Sequence, residues 1–346
     1  MRNIAYTEAI LEATNQLMQK DPNVIVFGLD VDDPKAIQGT TKGLPAKFGS
    51  ERVFGTPLSE DAMTGAAVGM ALAGLRPIHI HIRMDFMLLA MNQLVNIAAK
   101  SHYMYGGRVN IPLVVRSMIG KSWGQGAQHS QSLYSFFMHV PGLKVVAPTT
   151  PYDAKGCLIE AVKDNNPVIY VEHRILHFQK GYVPQKMYTV GPGKARITSP
   201  GKDITLVGIS NMQLECQHAK FYLEQVGVEA EVIDPIWLSP LDIATIVESV
   251  KKTGRLIVVD NDWVTCGASS EIVAAVIERL PGKSIAVKRM GFAQVTCPPT
   301  PALENLFYPN GITIAQAAYD LIEGKKTNWA PTPKDHLQEI EFRGPF

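Results

Sequence analysis

One stretch, residues 53–74, constrains the fold more than any other. Its first two residues are typical of a short buried strand, and the next four are typical of a turn. Ser59 is typical of a helix N-cap. The two acids that follow it begin the helix, where negative charges suit the helix dipole. The helix consists mostly of small residues, and Gly65, Gly69 and Ala73 recur at intervals of four. This spacing puts them on one stripe, where another backbone can approach closely. We therefore expect a deeply buried interface helix.

Glu60 is the first acid of that helix. In a buried helix start, desolvation would raise the pKa of the carboxyl group and keep a proton on it near neutral pH. A protonated carboxyl group can donate a hydrogen bond to a ring nitrogen. The alternative is an ordinary helix start whose acids match the dipole. The apolar segment, residues 62–75, is shorter than the ~20 residues that a bilayer requires, so we expect no membrane span.

The length of 346 residues predicts two domains. Gly and Pro accumulate between about residues 173 and 202, which predicts a linker. We place one domain at residues 1–185, a second at 186–326 and a polar tail at 327–346. With 46% hydrophobic residues, 19% charged residues and a net charge of +1, the composition is that of a globular protein without a nucleic-acid-binding surface.

The cysteines and the N-terminal residues bear on the cellular compartment. The four cysteines are too far apart in sequence for a metal site or a secretory disulfide framework, so we expect reduced thiols. The first residues carry no export or import signal. We therefore expect a cytoplasmic protein.

Both halves of the chain alternate between apolar runs of strand length and stretches with helical periodicity. The strand-like runs are residues 24–29, 77–83, 111–116, 204–208, 230–233, 256–259 and 284–287. Such alternation predicts an α/β fold, with two doubly wound domains and mostly parallel sheets.

The run at 77–83 alternates strictly between two kinds of side chain. One face carries Ile78, Ile80 and Ile82, and the other carries His79, His81 and Arg83. The basic face either binds an anion or packs against acids of a neighbouring subunit. Asp85 and Phe86 then open a predicted helix that extends to about Ala98.

A loop with several glycines follows the third strand, and loops in that position line ligand clefts in α/β proteins. The loop leads into Gln128-His129-Ser130-Gln131. A histidine titrates near neutral pH and therefore suits proton transfer or hydrogen bonding to a substrate. A lone histidine is more often structural, so the function of His129 depends on the surrounding motif.

Several motifs point to the same family. They are Thr56-Pro57-Leu58-Ser59-Glu60, Ala73-Gly74-Leu75-Arg76-Pro77, Gln128-His129-Ser130-Gln131, residues 145–156, Leu238-Ser239-Pro240-Leu241-Asp242 and Pro301-Ala302-Leu303-Glu304. Together they resemble the beta subunit of the thiamine-diphosphate-dependent, decarboxylating component of 2-oxoacid dehydrogenase complexes, of pyruvate, acetoin or branched-chain type. The resemblance covers about residues 1–325. It implies a pyrimidine-binding, transketolase-like domain followed by a transketolase C-terminal-like domain.

The resemblance also implies roles for individual residues. Glu60 would bond and activate the aminopyrimidine ring of thiamine diphosphate. Leu58 and Ile82 would contact the cofactor, and Phe86 would pack on its pyrimidine ring. His129 would hydrogen-bond the substrate or the acyl intermediate.

A potassium ion is a further implication of the resemblance. Its ligands would be oxygen atoms of Leu113, Ala161, Asp164 and Asn166, which suit a hard cation. The alternative is a helix terminus with an ordinary cap. Because Gly-Asp-Gly, the superfamily signal for binding magnesium and diphosphate, does not occur in the sequence, we expect an alpha subunit to hold both.

The resemblance implies an assembly of two alpha and two beta chains with a beta–beta contact, and association with a lipoyl acyltransferase core. The sequence departs from the family at Ile80, where an acid is usual, at Arg83, where no base is usual, and at the bulkier loop residues Lys121, Ser122 and Trp123. We expect these departures to change the substrate pocket. Two alternatives therefore stay open: the pyrimidine-binding half of a split transketolase-like enzyme acting on sugars or sugar nucleotides, and a scaffold chain without activity.

Overall fold

The computed structural model describes residues 2–120 and 124–333, which form two compact units. The first unit comprises residues 2–120 and 128–191, and the second comprises 124–127 and 192–333. The loop residues Lys121, Ser122 and Trp123 and the tail from residue 334 onward lie outside the described residues, so the expected effect of that loop on the pocket stays a prediction.

The first unit alternates strands and helices from its first residues. In chain order its elements are β1 (Asn3–Ala5), α1 (Tyr6–Lys20), β2 (Val24–Gly28), α2 (Leu44–Phe48), β3 (Val53–Gly55), α3 (Glu60–Leu72), β4 (Arg76–His81), a 3-10 helix (Met84–Ala90), a π-helix (Asn92–Ala98), α4 (Ala99–Met104), β5 (Val114–Ile119), α5 (Tyr134–Met138), β6 (Lys144–Val146), α6 (Pro151–Lys163), β7 (Val168–His173), a 3-10 helix (Arg174–Phe178) and β8 (Lys180–Tyr182).

The sheet of the first unit is parallel, with the strand order β6-β7-β5-β4-β2-β3. Every residue of β2, β5 and β7 is buried, which suits the continuous apolar run of β2. β5 and β7 also bury Arg116 and Glu172, which form an ion pair. Helix α1 packs against α6, and α3 packs against β4 and the 3-10 helix that follows it. The carboxyl ends of β2, β3 and β4 therefore lie side by side at one edge of the sheet.

Helix α3 begins at Glu60, as the sequence predicts, although Ser59 makes no side-chain capping bond in the described structure. The helix ends at Leu72, and its buried side chains are Thr64, Ala67, Val68 and Ala71. Gly69 and Ala73, on the stripe of small residues, are exposed. The single chain covers only the opposite face of the helix, so the expectation of an interface along this stripe stays a prediction.

The residues after β4 form a longer and less regular helical segment than the sequence predicts. In place of one helix to Ala98, a 3-10 helix, a π-helix and α4 follow one another over residues 84–104. π-helices are rare and often occur at functional sites. No helix in the described parts of the chain is long and apolar enough to cross a bilayer.

The second unit is also an α/β unit. Its elements are β9 (Arg196–Ser199), β10 (Ile204–Gly208), α7 (Met212–Glu224), β11 (Ala230–Asp234), β12 (Trp237–Ser239), α8 (Ile243–Thr253), β13 (Arg255–Trp263), α9 (Ala268–Glu278), β14 (Ala286–Phe292), α10 (Pro301–Phe307) and α11 (Gly311–Glu323). Five strands form a sheet in the order β14-β13-β10-β11-β9, in which only the β9–β11 pair is antiparallel. The predicted fold class, two doubly wound α/β units with mostly parallel sheets, is confirmed.

The predicted linker contains more structure than its composition indicates. Residues 173–202 include a 3-10 helix and the strands β8 and β9. Strand β8 pairs antiparallel with β1, and β9 pairs antiparallel with β11. These strands are only three and four residues long, too short for an alternating pattern to show between the Gly and Pro residues.

Candidate active site

A cavity of about 540 Å³ lies at the carboxyl ends of β2, β3 and β4. Leu29 and Asp30 follow β2, residues 56–58 follow β3, and Ile82 and Arg83 follow β4, and all of them line the cavity. Ligands of parallel α/β sheets bind in the crevice outside the carboxyl ends of the strands. The topology of the sheet therefore places this cavity where a ligand site is expected.

Gly28 permits a close approach between two of these strands. A Cβ atom on Gly28 would lie only 2.3 Å from the carbonyl oxygen of Ile80 on β4, a distance that real side chains do not reach. Any larger residue at this position would push apart the strands that form the end of the sheet beneath the cavity. The glycine is therefore part of what positions the site.

The cavity brings together the five residues to which the family resemblance assigns cofactor or substrate contacts. They are Leu58, Glu60, Ile82, Phe86 and His129, and all line the same cavity. The rings of Phe86 and His129 meet edge to face, with centroids 5.3 Å apart and planes at 78°. Residues from three separate stretches of the chain thus converge on one mostly apolar space that holds the carboxyl group of Glu60 and the imidazole ring of His129.

The structure distinguishes between the two acids that begin α3. Glu60 lines the cavity and is half-buried. The carboxylate of Asp61 is exposed and accepts a hydrogen bond of 3.2 Å from the Nε2 atom of Gln93. The two carboxyl groups therefore have different surroundings although they are neighbours in sequence.

Three residues to which the sequence analysis assigned no role in the site hold the His129 segment in place. The Oδ1 atom of the buried Asp85 accepts bonds from the backbone N–H (3.2 Å) and the side-chain amide (2.9 Å) of Gln131. Arg174 donates a bond of 2.8 Å to the carbonyl oxygen of His129. Burial raises the pKa of the Asp85 carboxyl group, and the bonds from Gln131 oppose that rise. The only signal in the sequence for this arrangement was Asp85, the acid directly before Phe86. Its partner could not be identified from the sequence, because Gln131 lies 46 residues further along the chain.

His79 and His81 face inward within the chain, so of the basic face only Arg83 stays a candidate for binding an anion or a neighbouring acid. The ring of His79 stacks on Phe27 at 4.6 Å and contacts the ring of His81. The Nε2 atom of His81 lies 3.2 Å from the hydroxyl of Thr64. Burial lowers the pKa of His79 to about 4 and that of His81 well below its usual value. Both rings are therefore neutral near pH 7, and neither supplies a charge to an anion or to a neighbouring acid.

The residues expected to hold potassium lie at the other edge of the sheet. Leu113 directly precedes β5, and Asp164 and Asn166 precede β7, at the amino ends of these strands. The carbonyl oxygen of Leu113 accepts a bond from the N–H of Val168, and that of Ala161 accepts one from the N–H of Asp164. These residues form a structural loop separate from the cavity.

The charge of that loop is largely balanced within the chain. The carboxylate of Asp164 forms an ion pair with Lys144 and accepts the N–H of Asn166 at 2.9 Å. Arg76 donates to the carbonyl oxygen of Asp164 at 3.1 Å. Among the described residues, no three His, Cys, Asp or Glu side chains are grouped as metal ligands. The only carboxylate of the set is therefore already paired within the chain, and the potassium site stays a prediction.

Comparison with known proteins assigns the chain to a family. A family model described as transketolase, pyrimidine binding domain, matches residues 2–179, and one described as transketolase, C-terminal domain, matches residues 193–314. The beta subunit of acetoin:2,6-dichlorophenolindophenol oxidoreductase from Cupriavidus necator is 42% identical over 341 residues, which cover 94% of this chain and 99% of that protein. This chain belongs to the family of 2-oxoacid dehydrogenase beta subunits.

Other members of this beta-subunit family are similarly close. The corresponding acetoin oxidoreductase subunit from Bacillus subtilis is 38% identical and covers 93% of this chain and 98% of its own length. A pyruvate dehydrogenase subunit beta from Porphyra purpurea is 38% identical, with coverage of 94% and 99%. A solved split-gene transketolase, described as an inactive beta4 tetramer, superimposes with a TM-score of 0.76 at 21% identity, covering 92% of this beta subunit and 98% of that chain. This structural similarity to the split-gene transketolase shows the fold alone.

Proposed function

We propose that this chain is the beta subunit of a thiamine-diphosphate-dependent 2-oxoacid decarboxylase/dehydrogenase that passes an acyl unit to an acceptor such as lipoamide. The observation that carries the proposal is the convergence of Glu60, Phe86 and His129 on one cavity at the carboxyl edge of a parallel sheet. A scaffold chain without activity would not need these three residues in one cavity. We therefore favour an enzyme.

The residues present fit half of the cofactor site. The apolar side chains of Leu58, Ile82 and Phe86 suit a flat aromatic ring, and Glu60 supplies one carboxyl group beside them. When bound, thiamine diphosphate supplies the carbon nucleophile and the electron sink that decarboxylation requires. Glu60 would hold a proton at its carboxyl oxygen and exchange it with a nitrogen of the aminopyrimidine ring. His129, anchored through Arg174, would donate a hydrogen bond to the substrate.

The other half of the site would come from an alpha subunit. The sequence contains no Gly-Asp-Gly, so we assign magnesium and the diphosphate group to that partner. The exposed stripe on α3, including Gly69 and Ala73, would pack at a chain interface near Glu60. By analogy with the family, two alpha and two beta chains would assemble, with a beta–beta contact, and bind a lipoyl acyltransferase core.

Two further assignments belong to this proposal. The loop formed by Leu113, Ala161, Asp164 and Asn166 would hold potassium as a structural ion, because its carbonyl oxygens are hard ligands. The chain would act in the cytoplasm, in keeping with four cysteines that form no disulfide in the described structure.

A second candidate function is the pyrimidine-binding half of a split transketolase-like enzyme. The observation that favours it is Arg83, a base in the cavity, because sugar donors of transketolase-like enzymes can carry phosphate groups. Turnover of a ketose donor, and of no 2-oxoacid, would identify this function.

The experiment that tests the proposal is the substitution Glu60→Gln in the chain co-expressed with its alpha-like partner. An amide cannot exchange the required proton, so turnover of a panel of 2-oxoacids with an artificial electron acceptor should fall by more than ~100-fold. Circular dichroism and gel filtration should show unchanged folding and assembly.

Asp61→Asn is the matched control, because it makes the same change at the neighbouring acid, which is exposed and bonded to Gln93. This variant should keep near-normal turnover. Near-normal turnover in Glu60→Gln as well would refute the role of Glu60.

A further inference from the structure

Arg83 is the only lysine or arginine among the described residues that line the cavity. The neighbouring His79 and His81 are neutral near pH 7 because burial lowers their pKa values. Arg83 therefore supplies a permanent positive charge in a cavity with mostly apolar walls. Such a charge is costly to desolvate unless it meets an anion.

The described part of the chain gives Arg83 no carboxylate partner. Its NH1 atom donates to the carbonyl oxygen of the preceding residue, Ile82, at 3.0 Å, and its buried Nε atom has no hydrogen-bond acceptor. No Asp or Glu side chain of residues 2–120 or 124–333 lies within ion-pair distance of it. Burial lowers the pKa of Arg83, and the charge of Asp85 only partly opposes this change.

The nearest acid, Asp85, is committed elsewhere. Its Oδ1 atom accepts both bonds from Gln131, and its charge also interacts with that of Arg174. Asp85 therefore forms no ion pair with Arg83 among the described residues. The acids Asp30 and Glu60 also line the cavity, but neither lies within ion-pair distance of Arg83. The guanidinium group of Arg83 is therefore available to an anionic ligand.

The chemistry of decarboxylation decides which anion Arg83 would suit. A carboxylate that leaves as carbon dioxide loses its charge on the way to the transition state. An arginine bound to it would stabilise the ground state more than the transition state and slow the reaction. An anionic group that stays on the substrate keeps its charge, so an arginine bound to it lowers KM without opposing catalysis.

We propose that Arg83 binds a carboxylate or phosphate group of the donor substrate, remote from the reacting carbonyl group. The inference rests on the proposed function and specifies its substrate class: donors with a second anionic group. A planar guanidinium group suits both anions, because each offers two oxygen atoms to its paired N–H donors.

The test compares the wild-type complex with its Arg83→Met and Arg83→Lys variants. The donors are paired: 2-oxoglutarate against 2-oxopentanoate, and fructose 6-phosphate against fructose. Wild type should prefer the member of each pair that carries the additional anionic group. Arg83→Met should lose about 10- to 100-fold in kcat/KM for that member, mostly through KM, and little for the member without this group. Arg83→Lys should keep part of the preference. The preferred pair distinguishes a carboxylate from a phosphate.

Arg279→Met is the control, since it removes the same charge from an exposed site in the second unit. It should leave both members of each pair unchanged. A second measurement is calorimetric titration of the same complexes with glutarate and inorganic phosphate, which need no turnover. Binding of either anion that Arg83→Met abolishes supports the proposal even if no donor is turned over.

Three results would overturn the inference. One is an equal loss of kcat/KM in Arg83→Met for donors with and without the additional anionic group. Another is a wild-type complex without preference and without anion binding. The third is that Arg83→Met associates more weakly with the alpha-like partner while its donor preference is unchanged. This result would indicate that Arg83 forms an ion pair with an acidic residue of the partner. Each of these leaves the proposed function intact, whereas normal turnover by Glu60→Gln refutes that function and leaves the anion titration valid.

Discussion

At the scale of single residues, burial decides the chemistry of the cavity more than residue type does. His79 is only 2% exposed and stacks on Phe27, so its imidazole is uncharged, whereas Arg83 beside it cannot lose its proton in the same way. A strand that looks uniformly basic in sequence therefore presents one charge. The two histidines contribute packing and hydrogen bonding.

The low pKa of His79 predicts that the folded protein loses stability as the pH is lowered. The folded state keeps this ring neutral down to about pH 4, whereas the unfolded chain takes up a proton near pH 6.5. Stability is therefore greatest above pH 6.5 and decreases as the pH falls toward 4. From pH 7 to pH 5 the loss from His79 should be about 2 kcal/mol, and His81 adds to it.

Urea unfolding of the wild type and of His79→Gln at several pH values measures this effect. The variant should show a smaller loss of stability between pH 7 and pH 5, because its side chain does not titrate. His102→Gln, a change at an exposed histidine, is the control. Identical pH dependence in wild type and His79→Gln would contradict the assignment.

At the scale of elements, α3 has two faces with different functions. One face packs on the sheet through Thr64, Ala67, Val68 and Ala71, and the other exposes small residues. Helix α6 is different, because its Gly156 lies against the chain itself: a Cβ atom there would lie 2.5 Å from Val190 and 2.8 Å from Tyr188. The same residue type therefore permits internal packing in one helix and leaves an open surface in the other.

These two glycines give opposite predictions. Nothing lies within 4 Å of a Cβ atom on Gly69, so Gly69→Ala should stabilise the isolated chain by about 0.5–1 kcal/mol. Gly156→Ala should destabilise it, because the neighbouring side chains must move.

Gly69→Leu should leave the isolated chain folded but weaken its association with the alpha-like partner at least tenfold, measured by titration. Undiminished association would show that this stripe is not at the interface.

At the scale of the whole molecule, apolar surface is exposed around the cavity and beyond it. Leu58 is 75% exposed, Leu89 60% and Tyr103 89%. Large exposed apolar side chains in one unit are typical of an interaction surface. The open cavity and this surface fit a chain that completes its site by association.

Calorimetry with thiamine diphosphate and magnesium tests this dependence. The isolated chain should bind the cofactor weakly, because its cavity would supply only the pyrimidine half of the site and the sequence contains no Gly-Asp-Gly for magnesium and the diphosphate group. The chain co-expressed with its alpha-like partner should bind it tightly and turn over substrate. Tight binding and decarboxylation by the isolated chain would show that the site is complete without a partner.

The sequence by itself determined the fold class, the family and the order of the main elements. Helix α3 starts at the predicted Glu60, and β10 has its predicted bounds, because short-range periodicity, caps and apolar runs specify local structure. The motifs around Glu60 and His129 also carried the family assignment. The domain boundaries and the roles of the site residues stay predictions.

Only the tertiary structure decided how these residues are partnered. It directs Glu60 but not Asp61 to the cavity, it buries His79, and it pairs Asp85 with Gln131 across 46 positions. Each outcome depends on which side chains from distant segments pack together. Local sequence periodicity does not specify such contacts, because they arise only when the strands are ordered in the sheet and their carboxyl ends meet at one edge.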